Sequence, residues 1–447
     1  MPIREVKGAF DLLSLHRHNP SRYPHLLESA ARGEPLGRFD ILFAFPGETL
    51  DLDHAFRVTG PHAGAGFLAS LQHWMNAEHR NAESDAAALP FHGGWFVFLS
   101  YELAQEIEPK LELRTEPAWP VARATRFPAA VIRDHRNDTT WLVSEDAALL
   151  DEMAIDIAAL EPVPAVASIP LGAPVEEDPA DYETMVERVV RYIIDGDVFQ
   201  ANISRPWITK IDPATEHWEI HAKLRRANPA PFAALVTWDD QAIISSSPER
   251  LVEIRGERVQ TRPIAGTRPR GLDADKDRAL LEELIGHPKE RAEHIMLIDL
   301  ERNDLGRIAV PGSVEVDELM AVESYSHVHH IVSNVRARRR PDAAATDVLA
   351  AVFPGGTITG CPKVRCMEII AELEQAPRTA YTGSVGYLNR DGSGDFNILI
   401  RTLMRDSATI SFRAGAGIVA DSIPAREVDE TRAKARGLLL ALTGDDA

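Results

Sequence analysis

Two segments of this 447-residue chain each carry a pair of glutamates three residues apart. In HPKERAEHIMLIDLERNDLGR (287–307) the pair is Glu290 and Glu293. In AREVDETRAKARGLLLAL (425–442) it is Glu427 and Glu430, with Lys434 following. On a helix, residues three and four apart share a face, and Glu427, Glu430 and Lys434 fall within about 60° of arc. Like charges held this way repel unless a cation sits between them. Carboxylate oxygens suit Mg²⁺, which takes one or two protein carboxylates and leaves room for water and an anionic substrate. The same spacing also fits a solvated helix face on which Arg291 or Arg432 pairs with the acids.

Other polar groups have the makings of an acid/base and anion site. SSSPER (245–250) fixes Glu249 directly after a proline, and an ordinary turn is the plain alternative. SHVHHIVS (326–333) presents three histidines; in an extended chain His329 and His330 face opposite ways, so one at most enters a given site. FPGGTITGCPK (353–363) is a Gly/Thr loop opening a helix. Its free N–H groups suit a carboxylate or phosphate, but it lacks the GxxxxGK[ST] pattern. Arg401, in NILIRT, is expected on an apolar strand, where a guanidinium needs an anionic partner. QTRPIAGTRPRG (260–271) is a basic loop with the bare methyl group of Ala265 at its centre. GAGIVADS (415–422) is a second backbone-rich loop without dinucleotide spacing.

Elements that could position these groups are legible in outline. RFDILFAFP (38–46), HGGWFVFLSYEL (92–103) and TTWLVSED (139–146) read as strands of an N-terminal region, 1–160. The stretch 161–180 is proline-rich and reads as a linker. The region 181–447 opens with a helix capped by Asp181 and ending at Gly196. A meander over 231–264 follows, then helices near 274–286 and 288–303, strands at 382–388, 396–403 and 409–413, and a helix over 424–441. Strands in blocks and helices in blocks predict an α+β fold with large antiparallel sheets.

Bulk composition narrows the function. The net charge of −20 argues against nucleic acid or an anionic membrane as main partner. No stretch reaches the ~20 apolar residues of a membrane span, and no signal-like apolar core opens the chain. The two cysteines, Cys361 and Cys366, form neither a CxxC nor a Cys/His cluster, so a cytoplasmic location is expected.

The segments SPER, PIAGTRPRG, ERAEHIMLIDLERNDLGR, HHIVS, FPGGTITGCPKVRCMEII, GDFNILIRT, GAGIVADS and EVDETRAK, in this order, resemble the chorismate-utilising enzymes. The resemblance covers 180–440 closely and the N-terminal region more loosely. It implies two large stacked antiparallel sheets with outer helices and the site between them. It also implies Mg²⁺-dependent addition of ammonia at ring C2 of chorismate with departure of the C4 hydroxyl. By motif, Glu293 and Glu430 resemble the direct Mg²⁺ ligands, with Glu290 and Glu427 in support. Glu249 resembles the general acid, and His330 the histidine beside the reacting ring. Arg401, Tyr381, Lys434 and the amides around Gly415 and Gly417 resemble the clamp on the substrate carboxylates. Thr357, Thr359 and Gly360 resemble the opposite wall.

Many aminodeoxychorismate synthases carry a lysine nucleophile where this chain has Ala265, and PIAGT is the usual anthranilate synthase form. RFDILFAFP, GGWFVFLSYELA, ANPAPF and FPGGTITG are more similar to the aminodeoxychorismate branch, which is the favoured expectation, with anthranilate formation as the alternative. Neither cysteine has the His and carboxylate context of a glutaminase. Ammonia is therefore expected from a separate glutamine amidotransferase subunit. LLES (26–29) resembles part of a tryptophan-binding site, although plain packing of Leu26 and Leu27 accounts for it equally.

Overall fold

Phe43 shows why the chain stacks two sheets. It lies on the alternating strand Phe39–Ala44 and is fully buried against Phe91, Phe96 and Phe127, with ring centroids 4.9, 5.3 and 5.5 Å away. Edge-on aromatic packing of this kind adds to the area each ring removes from water. Around it, Ile41, Phe98, Ile132, Val236, Val385 and Leu399 form one apolar layer drawn from both sheets. The computed structural model describes residues 1–8, 10–31, 37–81, 89–271, 273–286, 288–324 and 328–443; for residues 265, 267, 269, 274, 288–290 and 328 it describes the backbone alone.

Among the described residues the first sheet has 12 strands. Its order runs Ile3–Val6, Thr139–Ser144, Ala129–Asp134, Phe39–Ala44, His25–Glu28, Phe232–Trp238, Gln241–Ser247, Thr402–Asp406, Thr409–Ile418, Gln200–Lys210, Val175–Glu176, and Gly360–Cys361 also pairs with Gln200–Lys210. The second has 11. Its order runs Ile264–Pro269, Val328–Arg338, Arg258–Thr261, Arg250–Arg255, Gly394–Asn397, Ser384–Asn389, Gly94–Leu99, Ala122–Phe127, Thr49–Leu52, Val58–Thr59, with Glu315–Ser324 beside Val328–Arg338. All the pairings are antiparallel, as the block order of the sequence predicts. Strands from both sides of 161–180 join in each sheet as two blocks, meeting where His25–Glu28 pairs with Phe232–Trp238 and where Gly94–Leu99 pairs with Ser384–Asn389, and Ile169 within that stretch is buried with its N–H bonded to the Leu442 carbonyl.

Helices cover the outer faces. Leu12–His18, Ala147–Ala158, His217–Ala227 and Pro424–Thr443 bury Leu15, Met153, Leu224 and Leu438 against the first sheet. Phe67–Ala77, Pro288–Gly306 and Ala345–Val352 do the same on the second, through Trp74, Ile298 and Leu349. The first helix after the proline-rich stretch spans Pro179–Ile194 and is capped by Asp178, three residues before the expected Asp181, because Pro179 favours the first helical position.

Three local differences from the sequence reading matter for the site. The expected 231–264 meander is two hairpins, one on each sheet, and the chain crosses between them at Ser247–Pro248–Glu249. The expected 396–403 strand is broken, because Arg401 adopts φ +52° between Gly394–Asn397 and Thr402–Asp406. The basic QTRPIAGTRPRG segment contains the strand Ile264–Pro269, with a bulge between Ala265 and Thr267 where Gly266 has φ +71°. That strand stands at the edge of its sheet, where a proline without an N–H is tolerated.

Candidate active site

The crossing at Ser247–Glu249 puts a carboxyl between the two sheets. Glu249 is 6% exposed, and its Oε1 accepts the Thr357 hydroxyl at 2.7 Å. Its backbone carbonyl accepts the Ile398 N–H, and its carboxyl also takes a hydrogen bond from the Ile264 backbone. Glu249 thus ties the Gly/Thr segment to the segment that carries Ala265. Burial pushes its carboxyl up to about 7, against smaller opposing effects from Thr357, Ile264 and the Arg401 charge. A carboxyl so placed is protonated near neutrality and able to act as an acid.

Arg401 lies close enough for its charge to act on both Glu249 and His330. Among the described residues its guanidinium makes no hydrogen bond or ion pair, and burial lowers its pKa. A half-buried cation without a fixed partner among the described residues is suited to an anionic ligand. His330, 2% exposed on the Val328–Arg338 strand, hydrogen-bonds the Gly266 backbone. Burial first, and then the Arg401 charge, pushes it down to about 4, so it is neutral at pH 7. His329 faces the other way and bonds Ser324 and Asp277, as the two-residue period requires.

A second cluster forms where Thr409–Ile418 pairs with Gln200–Lys210. Gly415 and Gly417 lie within this strand rather than in the expected loop. A Cβ on Gly415 would come within 2.5 Å of the Ile203 carbonyl and 2.7 Å of the Tyr381 hydroxyl. A Cβ on Gly417 would come within 2.3 Å of Gln200 Nε2. Only glycine leaves this surface open. Tyr381 is buried, and burial pushes its hydroxyl up to about 12. Lys434 donates to the Gly415 carbonyl at 2.8 Å and pairs with Glu430 at 2.8 Å, one turn earlier on its helix. Thr359 and Gly360 stand beside this strand pair. The Asn202 N–H bonds the Thr359 carbonyl, and Gly360 pairs with Ala201.

Glu293 is half-buried and accepts Gln200 Nε2 at 3.1 Å. Gln200 was not among the residues singled out from sequence. A lone glutamine has no signal of its own, and only the strand register brings it to Glu293. Among the described residues its Oε1 is buried without a hydrogen-bond partner, as is Oδ1 of Asn202. Glu427 and Glu430 sit together on Pro424–Thr443, and the charges of both reach the buried Tyr182 hydroxyl. Glu290 lies on Pro288–Gly306, but its side chain is outside the described residues, as is that of Ala265; His327 is outside them altogether. The donor set is all carboxylate oxygen, with an orphaned amide oxygen beside it, which fits a hard divalent cation. Among the described residues no three His, Cys, Asp or Glu side chains converge into a ready cage. An ion here would keep water or take a ligand from the substrate.

Leu27, Glu28 and Ser29 line a different cavity, of about 480 Å³, with Pro231, Phe232 and Tyr387, while Leu26 packs in the core; Glu28 there is pinned by His221 at 3.0 Å and Arg225 at 2.7 Å. Among the described residues no helix is long and apolar enough to cross a membrane.

Comparison with known proteins bears on the fold and the family. The chain is 40% identical over 443 residues to aminodeoxychorismate synthase component 1 of Bacillus subtilis, covering 94% of this chain and 92% of that one. It is 46% identical over 360 residues to an anthranilate synthase component I-like protein of Synechocystis, covering 80% and 74%. The crystal structure of anthranilate synthase component I from Streptococcus pneumoniae superposes with a TM-score of 0.78 at 30% identity, covering 91% of this chain and 93% of that one. The family model for chorismate binding enzymes matches residues 40–440, and the chain belongs to that family.

Proposed function

We propose that this chain aminates chorismate to 4-amino-4-deoxychorismate, with Mg²⁺ and with ammonia supplied by a separate glutamine amidotransferase subunit. The observation that carries the reading is Glu249: a buried carboxyl, protonated near neutrality, held by Thr357 and close to a partnerless arginine. Hydroxide is a poor leaving group, so departure of the C4 hydroxyl needs an acid of this kind.

In this reading Arg401 draws a substrate carboxylate into the gap between the sheets, where low dielectric strengthens the attraction. The open backbone at Gly415 and Gly417, with Tyr381 and Lys434 beside it, receives the other carboxylate. Glu249 gives its proton to the C4 oxygen, which leaves as water, while ammonia adds at C2; a second ammonia then adds at C4 as the C2 amine takes up a proton and leaves as ammonia, so the nitrogen ends at C4. Neutral His330 stands by the ring without adding charge. Mg²⁺, which Glu293 and Glu430 would hold with Glu290 and Glu427 in support, supplies polarisation of the ring carboxylate. A methyl group at position 265 offers no nucleophile, so ammonia adds directly. Cys366 is buried and Cys361 half-buried, and burial raises both thiols, the reverse of an activated nucleophile. A partner that releases ammonia from glutamine follows from that.

Similarity to anthranilate synthase components supports the alternative product, anthranilate, from the same first step. One experiment separates the two: the protein with chorismate, Mg²⁺ and ammonium, followed by product identification. A product that becomes 4-aminobenzoate only after a lyase is added supports the proposal. Fluorescent anthranilate appearing directly refutes it in favour of the alternative, and absence of any turnover refutes both.

A further inference from the structure

Close to Glu249 lies a group of buried ionisable side chains that the reaction as described does not use. Glu301 is 6% exposed on the Pro288–Gly306 helix, and Asp304 follows one turn later, 2% exposed. Lys363, at the start of the Lys363–Leu373 helix, reaches Asp304 Oδ2 at 2.5 Å and the Val352 carbonyl at 3.0 Å. The groups facing Glu301 come from every neighbouring element. They are Asp304 on its own helix, Lys363, the Thr261 hydroxyl at the end of Arg258–Thr261, and Glu249 itself. That hydroxyl is buried and, among the described residues, lacks a partner in ordinary hydrogen-bond geometry. Glu301 also lies under Gly356, next to the Thr357 that holds Glu249. A Cβ on Gly356 would lie 3.6 Å from Glu301 Oε1.

The far end of this group reaches water. Asp304 and Lys363 line a groove of about 710 Å³ on the outer side of the fold, whose other walls include the exposed Phe199 and Ile295. Glu301 therefore stands between a solvent-reached ion pair and the candidate acid. A buried glutamate beside a second buried carboxyl is costly to ionise, and burial followed by the Asp304 charge pushes it upward. An apolar residue would fill the same space at less cost, so its presence calls for a role.

We propose that Glu301, backed by the Asp304–Lys363 pair, is a proton-holding positioning residue that reloads Glu249 from the groove between turnovers. The inference rests on the proposed role of Glu249. Glu249 loses its proton to the departing hydroxyl, which leaves as water. Glu301 passes its proton to Glu249 and takes one from the Asp304–Lys363 pair, which takes one from water in the groove. No electrons move. The net reaction, chorismate and ammonia to aminated product and water, is proton-neutral. The proton entering through the groove therefore balances the one released by the added ammonia on the substrate side.

The test compares wild type with Glu301→Gln in the full-length protein, using chorismate, Mg²⁺ and ammonium. With enzyme in excess over chorismate, the first turnover uses the proton already on Glu249, and its rate should stay within about twofold of wild type. Steady-state kcat should fall about tenfold or more with KM unchanged, in line with the weight of one proton-transfer group. A high concentration of imidazole buffer should restore part of that loss. Asp304→Asn, which keeps a hydrogen bond to Lys363, should give the same split should Glu301→Gln fold poorly. Equal losses in the first turnover and in kcat would make Glu301 a packing residue and overturn the proposal. An unchanged kcat would mean that Glu249 reloads from the substrate amine, which also overturns it. Wild type without any turnover would instead remove the role of Glu249 on which the proposal rests.

Discussion

Replacing Glu249 with glutamine should make the protein inactive and, above neutrality, more stable. The side chain keeps its size and an oxygen for the Thr357 hydroxyl but loses its charge. Burial holds the folded carboxyl at about 7, against 4.5 for the ordinary group. The protonated form is therefore favoured in the folded state, and the stability this gives is present at low pH. It is lost as pH rises from about 4.5 to about 7, because the unfolded chain releases its proton first. Between pH 5 and pH 8 the two titrations together remove roughly 2–3 kcal/mol from wild type. Glu249→Gln lacks this term. Urea unfolding followed by tryptophan fluorescence at both pH values should show the variant gaining on wild type by about that amount between pH 5 and pH 8. The comparison cancels every other titrating group. Parallel pH dependences for the two proteins would refute the raised pKa, and with it the argument that Glu249 is protonated for catalysis. Turnover should fall by about 10²–10⁴-fold in the variant, the usual weight of a positioned acid.

Glu293→Gln and Glu430→Gln should each abolish chorismate turnover while shifting the urea midpoint little, since one side chain is half-buried and the other exposed; normal turnover in both would remove them as Mg²⁺ ligands. Arg401→Lys should raise KM for chorismate about tenfold or more, because a compact ammonium cannot match the planar fork of donors; an unchanged KM would place the carboxylate elsewhere. Gly417→Ala should lower activity, because the added methyl group would stand 2.3 Å from Gln200 Nε2 and push Gln200 from Glu293; titration of the chorismate-bound protein with Mg²⁺ should show weaker binding than in wild type.

The sequence by itself determined the period of each element and the chemistry available to it. Alternation in Phe39–Ala44 and the i, i+3 glutamates on two helices are local facts, and antiparallel sheets follow from strands grouped in blocks. Ordered motifs were enough to indicate the family and to nominate the candidate site residues. Tertiary structure decided what depends on contacts between distant residues. The pKa of Glu249 is raised only because the chain changes sheets at Ser247–Glu249 and leaves the carboxyl out of water. Arg401 left its expected strand for a positive-φ position, and Gly415 and Gly417 entered one; both were settled by strand pairing, which local propensity does not contain. Gln200 had no sequence signature, and Glu301 and Asp304, although inside the motif ERAEHIMLIDLERNDLGR, gave no sign of their burial or of the groove. Burial and register turned ordinary polar residues into candidates, because solvation and neighbouring charge belong to the folded molecule and not to the residue.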